Sequence, residues 1–205
     1  LNPYAIDIAT LPPMVAAKWI GLDTAMSAFG WAVMTERIGE ARIRLEAAGV
    51  WQTDKAHGAA KMADTARRVD WLAQQLVDLV VREKPQVIFV EGLIYMPGGA
   101  FVTASTLGRV RGIVEGIGKA LDIPVHEFAA QTIKRALCGS PGAEKSQVAK
   151  CVSTIHRNLE QLFDFRAVSA KVGENVTDAV AVAHLGASHE SVRYFVQRAE
   201  DSVPF

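Results

Sequence analysis

At 205 residues, half of them hydrophobic and 21% charged, the chain has room for one domain with a substantial core and little for a second. Its 22 basic and 22 acidic residues cancel to a formal net charge of zero, so a polyanionic partner must be met by a local basic patch and not by the field of the whole molecule. The two cysteines, Cys138 and Cys151, give neither a disulfide framework nor metal-binding company, no apolar run is long enough to span a bilayer, and "LNPYAIDIATLPPMVAAK" lacks a basic leader. A reduced, cytoplasmic setting without a membrane partner is expected.

Residues 18–23 and 28–35 read as two apolar strands joined by a short turn, and 42–51, "RIRLEAAGVW", as a third with imperfect alternation. Connections this short favour antiparallel hairpins. From His57 to Glu83 the pattern becomes helical: Met62, Val69, Leu72, Leu76, Leu79 and Val80 recur at three- and four-residue intervals, and Pro85 closes the segment. "QVIFVEG" follows as a short buried strand ending at Glu91. A loop, "GLIYMPGGA", leads to a helix from about Thr103 to Leu121, and "IPVHEF" supplies a further strand. Helices are expected at 130–137, at 144–160 and from Val176 to Glu190. The layout is thus an N-terminal extension over 1–17, one α/β domain over 18–190 and a tail over 191–205. Hairpins followed by β-α-β crossovers imply a mixed sheet with helices on both faces, with ligands at the edge where the late strands end.

Three carboxylates stand out on this frame. Asp23 and Glu91 each end an apolar strand, and Asp178 in "ENVTDAVAVAHLG" lies near the start of an apolar helix. Taken singly, each has an ordinary reading: a turn residue for Asp23, a strand-end acid for Glu91, a first-turn acid favoured by the helix dipole for Asp178. Brought to one edge they would repel strongly unless a multivalent cation lay among them. Oxygen ligands suit a hard cation such as Mg²⁺, and two such ions about 3.5–4 Å apart suit in-line phosphoryl displacement. Between Gln131 and Lys171, seven basic residues (Lys134, Arg135, Lys145, Lys150, Arg157, Arg166, Lys171) face three acidic ones, a basic patch in a neutral chain.

Five stretches in order resemble the RuvC family of Holliday junction resolvases. "IGLDTAMSAFGWAVM" is similar to the family's opening, with Asp23 and Gly30 in place. "PQVIFVEG" matches the strand that carries its catalytic Glu, at Glu91. "STLGRVRGIVEG" is close to its Leu-Gly-x-x-Arg-Gly helix. "PVHEFAAQTIKRALCGSPGAEKSQV" resembles its strand, Lys-bearing helix and Glu-Lys-x-Gln-Val. "TDAVAVAH" is similar to its last acidic helix, at Asp178. The resemblance runs from about Lys18 to His189.

It implies an RNase H-like fold, a five-stranded mixed sheet flanked by helices on both faces. It also implies a dimeric, Mg²⁺-dependent (or Mn²⁺-dependent) endodeoxyribonuclease that cuts four-way branched DNA with two ions per site. On this resemblance Asp23, Glu91 and Asp178 are catalytic metal ligands and Lys145 contacts the scissile phosphate. Tyr95, Arg109, Arg111, Lys134 and Lys145 take DNA-facing positions, Tyr95 by stacking on a base at an offset of about one residue. One departure concerns the metal. Where many members carry a fourth acid or a His, this chain has Asn175, an uncharged oxygen donor, with Glu174 beside it. Two alternatives stay open at this point: a junction-binding protein that has lost catalysis through Asn175, and a nuclease acting on branched DNA more broadly.

Overall fold

The computed structural model describes residues 14–40, 42–92 and 101–202, with the backbone alone given for 101–104. Five strands form one sheet: β1 (Val15–Asp23), β2 (Ala28–Arg37), β3 (Arg44–Gln52), β4 (Val87–Glu91) and β5 (Val125–Phe128). Their order is β3-β2-β1-β4-β5, with β1–β2 and β2–β3 antiparallel and β1–β4 and β4–β5 parallel. The mixed sheet and the hairpin-then-crossover order agree with the sequence reading.

Helix α1 (Lys61–Glu83) begins four residues later than the predicted helix, and ends where Lys84 takes a left-handed conformation (φ 51°) ahead of Pro85. The other helices are α2 (Phe101–Ala120), α3 (Ala130–Cys138), α4 (Lys145–Ile155), the single turn α5 (Leu159–Leu162), α6 (Ala170–Gly186) and α7 (Glu190–Asp201). Three boundaries differ from expectation. The helix expected over 144–160 stops at His156, whose buried ring meets His184 of α6 (Nε2···Nδ1 3.1 Å). The helix expected from Val176 starts six residues earlier. The expected tail contains α7, which buries Val192 and Val196. The expected extension likewise gives its last residues to β1.

Two cores lie on either side of the sheet. Alternate residues of β1 divide between them: Trp19 joins one, Ile20 and Leu22 the other. The first core takes α3, α4, α6 and α7 through Ile133, Val148, Val152, Val180 and Val192; the second takes α1 and α2 through Leu72, Leu76, Leu79, Val110 and Val114. Helix α6 lies very close to the strands. A Cβ built on Gly21 would stand 2.4 Å from the Ala183 nitrogen, and one on Gly30 would stand 2.0 Å from the Asn175 carbonyl oxygen. Only glycine admits this approach. The Trp19 indole N–H donates to the Ala183 carbonyl (2.7 Å), fixing α6 along β1.

Candidate active site

Strand alternation decides which way the two strand-end acids point. Asp23 lies two residues beyond Gly21 and is paired with Gly30 across the β1–β2 ladder, so it shares the α6 face of the sheet. Glu91 lies two residues beyond Phe89, which packs in the same core, and so emerges on that face too. Asp178 is carried there by α6, between buried Thr177 and Ala179. The close seat of α6 on Gly21 and Gly30 thus brings the third carboxylate to the other two.

Their electrostatics record the meeting. Burial, reinforced by the charges of Asp178 and Glu91, pushes the Asp23 carboxyl up to about 8. Burial and the Asp178 charge raise Glu91, and burial raises Asp178. Lys145 opposes the rise at all three, and Lys134 does so at Glu91 and Asp178. None of the three carboxylates has a hydrogen bond or ion pair with a described residue. Glu91, Lys134 and Asp178 share the lining of a small cavity with Ile133, Val148 and Ala181. A half-buried group of like charges with no partner among the described residues is the environment that a cation relieves. Among the described residues, no three His, Cys, Asp or Glu side chains already stand around one point as a closed metal cage. By chemistry alone, three carboxylates are the oxygen donors that a hard cation prefers.

Lys145 is the first residue of α4, whose start is fixed by the Gln147 side chain accepting from the Glu144 N–H (2.8 Å). Its ammonium lies 2.8 Å from Glu174, and this bond, with the Asp178 charge, raises its pKa. Sequence reasoning weighed Glu174 as a spare metal ligand and missed its grip on Lys145. The available signal was its place one helical turn before Asp178. Asn175 lies against the strands: its side-chain N–H donates to the Ala28 carbonyl, and no described residue bonds its amide oxygen.

The DNA-facing candidates divide. Lys134 stands on α3 within the field of the carboxylates. Arg109 is exposed on α2. Arg111 corrects the expectation. It is 9% exposed and turned into the protein, where Glu115 (2.9 Å) and Glu127 (2.8 Å) hold its guanidinium. Tyr95 lies outside the described residues.

A family model for crossover junction endodeoxyribonuclease RuvC matches residues 19–185. The crossover junction endodeoxyribonuclease RuvC of Roseiflexus sp. (strain RS-1) is 31% identical over 170 residues, which is 83% of this chain and 90% of that protein. The Thermus thermophilus RuvC structure superposes with a TM-score of 0.62 at 21% identity, covering 88% of this chain and 95% of that one. The same score is reached by T. thermophilus RuvC in complex with Holliday junction substrate, at 19% identity. These structures share the fold.

Proposed function

The chain belongs to the RuvC family of crossover junction endodeoxyribonucleases, and on that premise we propose that it resolves four-way DNA junctions by paired phosphodiester hydrolysis, leaving 5′-phosphate and 3′-hydroxyl ends. The observation that carries the reading to particular residues is the trio Asp23, Glu91 and Asp178: half-buried, mutually repelling, their carboxylates unpaired among the described residues, and flanked by two lysines. On this reading the trio, with the Asn175 amide oxygen, holds two Mg²⁺ or Mn²⁺ ions. Bound divalent cations there supply a low-pKa water and charge stabilisation of the departing 3′ oxygen.

The remaining work falls to the chain. Asp23, pinned by its ladder partner Gly30, orients the carboxylate edge, and α6 sets the height of Asp178 over it. Lys145, steered by Glu174, presents a positive charge to the scissile phosphate and stabilises the negative charge that develops on it. Lys134 adds to the local attraction for the backbone, which fixes position and carries little sequence information. Arg109 and Tyr95 complete the proposed DNA contacts. Stacking of an aromatic on an opened base is typically worth about 1–3 kcal/mol.

A junction has two strands to cut symmetrically, which suits a twofold dimer. Helix α2 supports this with Gly108, Gly112 and Gly116, spaced by four. Among the described residues, no atom beyond the glycine's own stretch of helix lies within 4 Å of where a Cβ would stand at any of the three. Such a stripe lets a second copy of α2 approach closely. No helix among the described residues is long and apolar enough to cross a membrane, and the proposed setting is the cytoplasm, where DNA is reached directly.

The deciding experiment incubates an immobile-core four-way junction with Mg²⁺ or Mn²⁺ and compares the parent with Asp23→Asn. Paired ligatable nicks, lost in the variant while junction binding survives, are expected. Junction binding without cleavage in either metal overturns the catalytic reading and leaves a binding protein. Equal cutting of flaps and three-way junctions points to the broader nuclease.

A further inference from the structure

Glu91 needs support that its own strand does not give: it is the last residue of β4, and Gly92 is the last described residue before residue 101. Two contacts from β5 hold that end. In the plane of the sheet, the Gly92 N–H donates to the Phe128 carbonyl (2.8 Å). From behind, on the face opposite the carboxylates, Glu127 pairs with Val90 and lies against Gly92. Its Oε1 stands 2.5 Å from where a Cβ on residue 92 would be, an approach that glycine leaves unobstructed. The other oxygen, Oε2, accepts from Arg111 Nη2 of α2 at 2.8 Å.

Arg111 is itself buried, the two acids it meets, Glu115 and Glu127, are both exposed, and its Nη1 has no partner among the described residues. Among the described residues this is the one ion pair between α2 and the sheet. A buried guanidinium that loses one of its two acids keeps less compensation for its charge, which favours the contact with Glu127. The glycine stripe lies on the same helix.

We propose that Glu127, clamped by Arg111, is a positioning residue for Glu91 that couples the placement of α2 to the catalytic edge. The inference rests on the reading of Glu91 as a metal-binding carboxylate. Glu127 touches no reacting atom; it sets where the end of β4 stands.

The test uses the full chain and three readouts: hydrogen exchange of the Gly92 amide without metal, Mn²⁺ binding followed by loss of the free-ion EPR signal, and single-turnover cleavage of a four-way junction in Mn²⁺. Glu127→Ala is expected to speed Gly92 exchange at least tenfold while β1 and β2 amides are unchanged. It should raise the half-saturating Mn²⁺ concentration about 10-fold, within the range for groups that orient metal ligands, and slow cleavage with junction Kd within twofold. Glu127→Gln, which keeps an oxygen for Arg111, should recover at least half of each loss. Unchanged Gly92 exchange and Mn²⁺ saturation overturn the proposal. So does an acceleration spread evenly over the sheet, or a Glu127→Gln variant no better than Glu127→Ala. If the parent itself fails to cut junctions, the enzyme reading fails, while the exchange and Mn²⁺ readouts still decide the role of Glu127.

Discussion

At the scale of single residues, the site is built from charges that the metal-free fold tolerates poorly. Folded, Asp23 keeps its proton up to about pH 8, against 3.8 for an ordinary aspartate. The folded state therefore holds more protons than the unfolded chain between those values, and by linkage this group makes the protein less stable as pH rises through the window. Asp23→Asn cannot ionise and loses that penalty. Its metal-free melting temperature at pH 8 should exceed the parent's by at least about 2–4 °C, the shift that roughly 1 kcal/mol gives in a chain of this size. The gap should close towards pH 4 in a thermal-melting series run with chelator; an equal gap at both pH values would refute the assignment. Asn175 makes a two-sided case. Asn175→Asp removes the N–H that the Ala28 carbonyl accepts and sets a carboxylate against that oxygen, a change expected to cost about 1–3 kcal/mol without metal. The same charge should lower the Mg²⁺ concentration needed for half-maximal cutting. A melting curve without metal and a Mg²⁺ titration of cleavage should therefore move in opposite senses.

Among the elements, glycines with opposite surroundings separate scaffold from interface. Gly30→Ala drives a methyl into the Asn175 carbonyl, which is backbone and cannot swing aside, so α6 must lift from the hairpin. Overpacking of this kind costs typically about 1–3 kcal/mol, and more where the obstruction is backbone. Because Gly30 is the ladder partner of Asp23, cleavage should fall further than the stability loss alone explains. Gly112→Ala meets nothing among the described residues beyond its own helix and replaces a poor helix former by a good one, which by itself stabilises by about 0.8–1.0 kcal/mol. Should α2 pair with its copy as proposed, sedimentation will show a weaker dimer for Gly112→Ala despite the stabler helix. A dimer left intact by Gly112→Leu would remove α2 from the interface. Sequence patterns carry this level unevenly. The faces of Asp23 and Glu91 are legible because a period of two assigns every residue of a strand to one side. The start of α6 is not, since its first turns contain Lys171, Glu174 and Asn175, polar residues of which the last two find their partners outside the helix, in Lys145 and strand β2. Helix α7 carries Val192, Phe195, Val196 and Ala199 at three- and four-residue spacing, a docked face written in the sequence at a place expected to be tail.

For the molecule as a whole, zero net charge means that DNA must be held by local positive charge, and the structure sorts which cations are available. Arg111 illustrates what the chain order conceals: its motif advertises a cation, but the acid that buries it, Glu127, lies on a different strand, and no local pattern links the two. Binding to a four-way junction should weaken linearly in log salt, by about 0.9 per phosphate contact on duplex arms. Lys134→Ala should reduce that slope by about one contact while weakening binding across sequences alike. Arg111→Ala should leave the slope unchanged, because a guanidinium held by Glu115 and Glu127 releases no counterion from DNA. Lys145 falls between these cases. Its ammonium is already shared with Glu174, so Lys145→Ala should flatten the slope less than Lys134→Ala does, whereas Glu174→Gln should steepen it by freeing the lysine for phosphate. Junction titrations in chelator between 50 and 200 mM salt, where about a thousandfold or more separates strong from weak phosphate contact sets, resolve these differences. If Lys145→Ala instead matched Lys134→Ala and Glu174→Gln left the slope unmoved, Glu174 would be no more than a surface ion-pair partner, and the steering of Lys145 towards the scissile phosphate would have to come from the DNA itself.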